Sequence, residues 1–428
     1  MNVSKLMGRI IPSVVGAAAL LVASTAMDNK QASAAETLDV GAIQPLAGDC
    51  AQWGIPIVRG MQYWADQLNA DGGLLAGDGK RYKINLKTYD NVCYIPGEEL
   101  KAGRKAILDD NIKFMLQTFT PGSRQAIAQM TTDNHVLTTS YGAGYLSKDH
   151  PYLNGGITGS PAAYMLIASR AIDANPDVKR VAIITSDQSF GLAAKAYFEA
   201  GVAAHPEVEI VYNESYAPDA TKDMLGLLTP LMASKPDMVC QLGWVPAQYA
   251  SAIETMEQMG FKGVHCAEGF TFPMILERVP AEQLAGRTYF GYAFEASEPT
   301  FSAKGHELYK WYVEEYGVEE WSPYTPIGYA SMMTLEAGIR MSPSIDSKVV
   351  METLYAADVV DHPLFGPSKW GGEEIYGANH HLLTPLPIYN LDADGNVVLD
   401  HVVDHAAWWE KHKDVALPRI DAGGQVFR

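Results

Sequence analysis

The sequence predicts an α/β protein built as two similar lobes, each a parallel sheet flanked by helices. Short apolar strands alternate with amphipathic helices along most of the chain, which is the grammar of parallel sheets with right-handed crossovers. That grammar stops at residues 153–161 (LNGGITGSP) and starts again, which implies a second lobe rather than one longer sheet. At 428 residues the chain also exceeds what a single ordinary core accommodates.

The elements follow in order. Residues 38–45 (LDVGAIQP) form the first strand. A helix over 56–70 carries Ile57, Met61, Trp64 and Leu68 at helical spacing and is stopped by Asp71-Gly72-Gly73. Strands at 82–90, 112–119 and 135–141 alternate with helices at 98–110 and 123–134. In the second half, strands at 179–187, 208–216, 237–244 and 264–270 alternate with helices at 190–205, 223–234 and 246–260. A strand at 288–294 then leads into helical stretches at 304–317 and 323–341. The tail from Leu364 is rich in Gly and Pro and becomes strand-like at 386–400, where Asp394-Gly395 makes a hairpin turn.

The first residues read as a secretory signal peptide. Lys5 and Arg9 supply the positive region, Ile10 to Met27 the apolar one, and Ala32 and Ala34 an A-x-A cleavage pattern. Pro12, Ser13, Gly16 and Ser24 interrupt the run, which argues against a membrane anchor. The expectation is cleavage after Ala34 or Ala35 and a soluble, exported mature chain. The formal net charge of −18 argues against binding to nucleic acid or to an anionic lipid surface. An oxidising compartment permits disulfides among Cys50, Cys93, Cys240 and Cys266. Four cysteines allow three connectivities. Cys50 and Cys93 follow neighbouring N-terminal strands, so a Cys50–Cys93 bridge is expected, while Cys240 and Cys266 read as buried small residues.

Enzyme signatures fail. The segment from Gly142 (GAGYLS) lacks the third glycine of a dinucleotide fingerprint, GGLLAGDGK does not fit a phosphate loop, and no G-x-S-x-G elbow occurs. His401 and His405 would be spaced for zinc only on a helix and lack a third ligand. His265 and Cys266 are strand neighbours on opposite faces and make no dyad. No catalytic residue, metal or cofactor is expected. Open α/β sheets bind ligands at the carboxyl ends of their strands. The loops there are Gly48–Trp53, Thr118–Ser123, Ser140–Tyr145, Asp187–Gly191, Gly243–Pro246 and Ala267–Phe270.

Residues 41–54 (GAIQPLAGDCAQWG) with 59–73 (RGMQYWADQLNADGG) resemble the opening of the periplasmic leucine/isoleucine/valine-binding protein family, the type I solute-binding receptors of ABC transporters. YDNVCYIPGEEL resembles that family's strand-end segment with its cysteine at Cys93. DQSFGLAAKAYFEAG resembles its second-lobe helix start, CAEGF a later strand end, and FGPSKWGG its third crossover. The resemblance implies two Rossmann-like lobes joined by three hinge strands: residues 36–158 and 295–362 in lobe 1, 159–294 and 363–428 in lobe 2. It implies a monomeric receptor that hands a small amphipathic solute to membrane permease and ATPase subunits. That solute would be a branched-chain or other amino acid, or an aromatic or modified relative. The alternative within the same fold is a ligand-sensing regulatory protein of the amide/urea type, against which the leader weighs.

Carried over residue by residue, the resemblance implies Trp53 as the first-loop aromatic and Thr120 as the hydroxyl for a ligand carboxylate. It places backbone contacts at Gly142, Ala143 and Gly144, second-lobe aromatics at Phe190 and Trp244, and the carboxylate gripping a ligand ammonium at Glu268. Gly144 lacks the usual hydroxyl and Phe190 replaces a tyrosine, so this cleft reads as less polar than a leucine-type site.

Overall fold

The computed structural model describes residues 35–92, 96–117, 121–142, 145–268, 272–292 and 302–423. The first run of the chain is β1 (Glu36–Gln44), α1 (Ala51–Ala70), β2 (Leu74–Leu75), β3 (Arg81–Asp90), α2 (Pro96–Arg104), β4 (Phe114–Gln117), α3 (Pro121–Asp133), β5 (Leu137–Ser140) and β6 (Leu153–Gly155). The second is α4 (Ala162–Ala174), β7 (Arg180–Ser186), α5 (Ser189–Ala203), β8 (Glu209–Tyr216), α6 (Met224–Ala233), β9 (Met238–Leu242), α7 (Pro246–Gln258), β10 (Val264–Cys266), α8 (Phe272–Leu276), α9 (Ala281–Leu284) and β11 (Thr288–Gly291). Three helices return to the first lobe: α10 (Ala303–Tyr316), α11 (Tyr324–Met341) and α12 (Ser347–Ala356). The chain ends with β12 (Val360–His362), β13 (Gly366–Gly371), α13 (Glu373–Tyr376), β14 (His381–Leu383), β15 (Leu386–Leu391), β16 (Val397–Val403) and α14 (His405–Ala422).

The strands form two sheets, in the orders β12-β13-β14-β6-β5-β4-β1-β3-β2 and β16-β15-β11-β10-β9-β7-β8. β1 lies inside the first sheet, parallel to β3 from Glu36↔Tyr82 to Gln44↔Asp90 and to β4 from Val40↔Phe114. Antiparallel strands sit at the margins: β2, β12 and β13 on the first sheet, β15 and β16 on the second. The Asp394-Gly395 turn joins β15 to β16, with Asp392 Oδ1 accepting the Asp394 and Asn396 N–H groups.

Three features depart from the sequence reading. α1 begins at Ala51, so Trp53 stands in its first turn and Pro56 lies inside the helix. Residues 363–383 join the first sheet, because β13 pairs with β14 and β14 runs parallel to β6 at His381↔Gly155. The chain therefore crosses to the second sheet between β14 and β15, not at residue 362. The weighed zinc pair does not form: His401 is exposed on β16, whereas His405 is buried at the start of α14 with its Nδ1 2.8 Å from Thr158 Oγ1. Among the described residues no group of ligands could hold a metal ion.

α11 crosses α1 at a distance only glycine allows. A Cβ on Gly60 would fall 2.1 Å from Thr325 O, and one on Gly328 2.0 Å from Ile57 O. Trp64 Nε1 donates to Glu336 Oε2 at 2.8 Å inside this contact. Two crossing segments are bonded to each other: Thr158 N–H donates to Thr384 Oγ1 at 2.9 Å, and Thr158 Oγ1 donates to Thr384 O at 2.6 Å. One hydrophobic cluster runs through both lobes, from Leu38 and Trp64 to Val181 and Ile388. Cys240 and Cys266 are free, buried and opposite each other on β9 and β10, with Cys240 Sγ donating to Cys266 O at 2.9 Å.

Candidate functional site

The carboxyl ends of both sheets meet where the lobes face each other, and rings dominate the meeting. Trp53 stands 6.4 Å from Tyr324, ring centre to ring centre, across α1 and α11. Tyr164, in the first turn of α4, lies 6.5 Å from Phe190, in the first turn of α5. Tyr141, just past β5, meets Tyr292, just past β11, at 6.5 Å, and Tyr292 meets Phe365 at 6.1 Å. Tyr141–Tyr292 is thus a contact between lobes. Each pair sits at an angle suited to edge-to-face attraction rather than flat stacking.

One carboxyl stands beside Tyr292. Glu268, two residues past β10, is 4% exposed. Ser160, on the first crossing segment, donates its hydroxyl to Glu268 Oε2. Glu268 Oε1 is buried and has no hydrogen-bond partner among the described residues. Burial pushes the Glu268 carboxyl well above the usual carboxylate range, against the opposing pull of Ser160. Burial also raises Tyr292, and the neighbouring Glu268 charge adds to that rise. Tyr292 holds a left-handed backbone (φ 61°) and donates its N–H to Pro387 O at 3.3 Å, so it joins the start of one crossing segment to the third.

The residues expected from sequence fall as follows. Trp53 pairs with Tyr324, Phe190 with Tyr164, and Glu268 with Ser160. Gly142 (φ +65°) is pressed against the first crossing: a Cβ there would fall 2.4 Å from Ser160 O. Trp244 packs with Tyr249 at 6.2 Å in the second lobe's own cluster. Tyr249 ties that tryptophan to the cleft: its hydroxyl accepts Trp244 N–H at 3.3 Å and interacts with Tyr164. Burial raises the Tyr249 phenol to about 12. Thr120, Ala143 and Gly144 lie outside the described residues, as does Cys93, while Cys50 is buried at the start of α1. Sequence reasoning missed Ser160, Tyr164, Tyr292 and Tyr324. Each stands within a few residues of a strand end or helix start, which is the signal that would have found them.

The mouth of this region is a hollow of about 370 Å³ between lobes, with Gln52, Ile55, Arg59 and Trp321 on one side and Pro246 and Met274 on the other. Another hollow, about 730 Å³, lies at the opposite end of the second sheet beside Asn175, Lys235 and Phe261. That is the amino end of its strands, where an open α/β sheet does not bind its ligand.

Comparison with known proteins agrees with this geometry. A family profile described as "Periplasmic binding protein" matches residues 37–396. Leu/Ile/Val-binding protein BraC3 of Rhizobium johnstonii is 28% identical over 217 residues, covering 49% of this chain and 55% of that protein. The chain thus spans about half the length of that relative. The branched-chain amino acid transporter substrate binding protein LivJ of Streptococcus pneumoniae, solved with isoleucine, superposes with a TM-score of 0.69 at 19% identity, over 86% of this chain and 99% of that one. An ABC transporter solute binding protein of R. palustris, solved with 4-hydroxybenzoate, superposes with a TM-score of 0.65 at 16% identity, over 86% of this chain and 96% of that one. The chain belongs to the periplasmic binding proteins of the leucine/isoleucine/valine-binding family, whose members are solute-binding receptors rather than enzymes.

Proposed function

We propose that this protein is the extracytoplasmic receptor of an ABC importer. It captures a small amphipathic solute between its lobes and delivers it, as a monomer, to membrane permease and ATPase subunits. Export removes the leader, residues 1–35, and a Cys50–Cys93 bridge forms in the periplasm. The ligand set is Trp53, Thr120, Gly142, Ala143, Gly144, Phe190, Trp244 and Glu268. The supporting observation is Glu268: a buried carboxyl with one oxygen unpartnered among the described residues is costly unless a ligand supplies the missing partner. Amino acids do so through their ammonium, and the surrounding rings suit the apolar part.

A thermal-shift screen of the mature protein against amino acids, aromatic acids, amides and quaternary amines tests this reading. A bound solute raises stability by RT ln(1 + [L]/Kd), about 2.7 kcal/mol at a hundredfold excess over Kd. A hit should also shrink the radius of gyration in solution scattering, as the lobes close. A panel without a hit would sink the receptor reading.

A further inference from the structure

Two thiols stand together inside the second lobe and take no part in the receptor reading. Cys240, the middle residue of β9, and Cys266, the last of β10, are direct partners across two parallel strands at the centre of the second sheet. They point to one face: both pack in the cluster that holds Val181, Ile183 and Leu242, whereas Val239, between Met238 and Cys240, packs in the cluster on the other face. Both are fully buried. Neighbouring strands lie about 4.8 Å apart, inside the range of about 4.4–6.8 Å between Cα atoms that a disulfide spans. Cys240 Sγ already leans across that gap, since it donates to Cys266 O at 2.9 Å. Burial, and then hydrogen bonding with the Cys266 thiol, push the Cys240 thiol well above its ordinary range. A single buried cysteine is an ordinary small core residue. Two in register on adjacent strands, with their side chains in contact, are a dithiol.

We propose that Cys240 and Cys266 are a redox site, joined as a disulfide when the chain folds in the presence of a disulfide oxidant. The step is thiol–disulfide exchange. One cysteine, as thiolate, attacks a sulfur of the oxidant RSSR; a mixed disulfide forms and RS⁻ leaves. The second cysteine, as thiolate, attacks the protein sulfur of that mixed disulfide, which closes the Cys240–Cys266 bond and expels the second RS⁻. The two protons given up by the cysteines end on the leaving groups, so the protein loses two electrons and RSSR becomes two RSH. The reaction belongs to the folding chain. In the finished core no oxidant reaches either sulfur, and the raised Cys240 thiol supplies little thiolate. Before β9 meets β10, both sulfurs are open to solvent and only 26 residues apart in the chain. A bridge takes less room than two thiols in contact, so the close-packed face admits it. It ties the strand that leads to Trp244 to the strand that leads to Glu268. The proposal is independent of which solute the cleft takes, and of whether it takes one.

The test starts from protein reduced and unfolded in guanidinium. It is refolded in a buffer of oxidised and reduced glutathione, blocked with iodoacetamide and digested with trypsin without reduction. Lys262 lies between the two cysteines, so trypsin releases them on separate peptides unless they are bridged. Mass spectrometry should find the two peptides linked in most molecules. Folded, reduced protein placed in the same buffer should form the link at least about tenfold more slowly, because oxidation then waits on opening of the core. The variant Cys50→Ala/Cys93→Ala keeps only this pair of cysteines. Its bridged form should unfold at a higher guanidinium concentration than its reduced form. Iodoacetamide on both thiols after refolding would overturn the proposal, as would separate capping of each by glutathione or linkage of either to Cys50 or Cys93. Equal rates in the folded and refolding protein would overturn the folding-stage step. A midpoint unchanged or lowered by the bridge would show it foreign to the native sheet and overturn the site. If the variant does not fold, the peptide map of the wild type decides alone.

Discussion

Ser160 decides how Glu268 carries its charge. Its hydroxyl and its backbone N–H both act on that carboxyl, and the backbone contact holds down a proton affinity that burial drives up. Replacing it with alanine removes a hydrogen bond to a charged group, worth about 1.5–3 kcal/mol. Ser160→Ala loses the hydroxyl but keeps the N–H, so it should lower stability by about that amount and leave the pH dependence due to Glu268 in place. Chemical denaturation of the wild type and the variant at several pH values checks this, and an unchanged midpoint would show that the hydroxyl adds nothing. Glu268 was legible in the sequence because a lone acid between Ala267 and Gly269 ends an otherwise apolar strand. Ser160 and Tyr292 were not. They belong to crossing segments, and which sheet such a segment leans on is set by tertiary packing rather than by local pattern.

The α1–α11 contact shows what a helix pair requires of its sequence. Gly60 and Gly328 each face backbone oxygen rather than a movable side chain. Gly328→Ala should push the helices apart and lower stability by about 1–3 kcal/mol, read from the midpoint of chemical denaturation. An unchanged midpoint would mean the helices slide freely. The alternation of strands and helices was readable because apolar periodicity switches from two to 3.6 at each boundary. The start of α1 was not: proline favours a first helical turn, so Pro56 reads as a beginning. In the structure it forfeits one backbone bond inside a helix that begins at Ala51. β13 and β14 were hidden for another reason. They are short, polar in Ser368 and Lys369, and joined by nothing longer than the four-residue α13, so nothing local says which sheet they join.

Across the whole molecule, two buried acids pull stability in opposite directions with pH. Burial by itself would raise Glu257, but hydrogen bonds from His265 and Arg287 outweigh it and bring it down to about 2 from 4.5. A depressed acid stabilises above its unfolded pKa, so on the order of 3 kcal/mol is lost as pH falls from about 4.5 toward 2. His265, lowered chiefly by burial, works in the same direction, because it must gain a proton in the unfolded state first. Glu268 is raised, so the ligand-free fold loses stability as pH climbs above the ordinary glutamate value. Melting temperature against pH should thus fall on both sides of a maximum in mild acid. Glu268→Gln should flatten the alkaline side alone, and an unaltered alkaline slope would remove Glu268 as its cause. The topology has a further consequence, for how the chain comes to be folded at all. The first sheet is unfinished until β14 lies beside β6, and the bond from Thr158 to Thr384 that accompanies it spans 226 residues. A chain that emerges from its amino end leaves β6 with a bare edge until nearly all of it has appeared. Contacts so distant in sequence slow folding. The interleaved lobes therefore delay commitment, and a chain that cannot complete its first half early remains threadable until its last strands arrive.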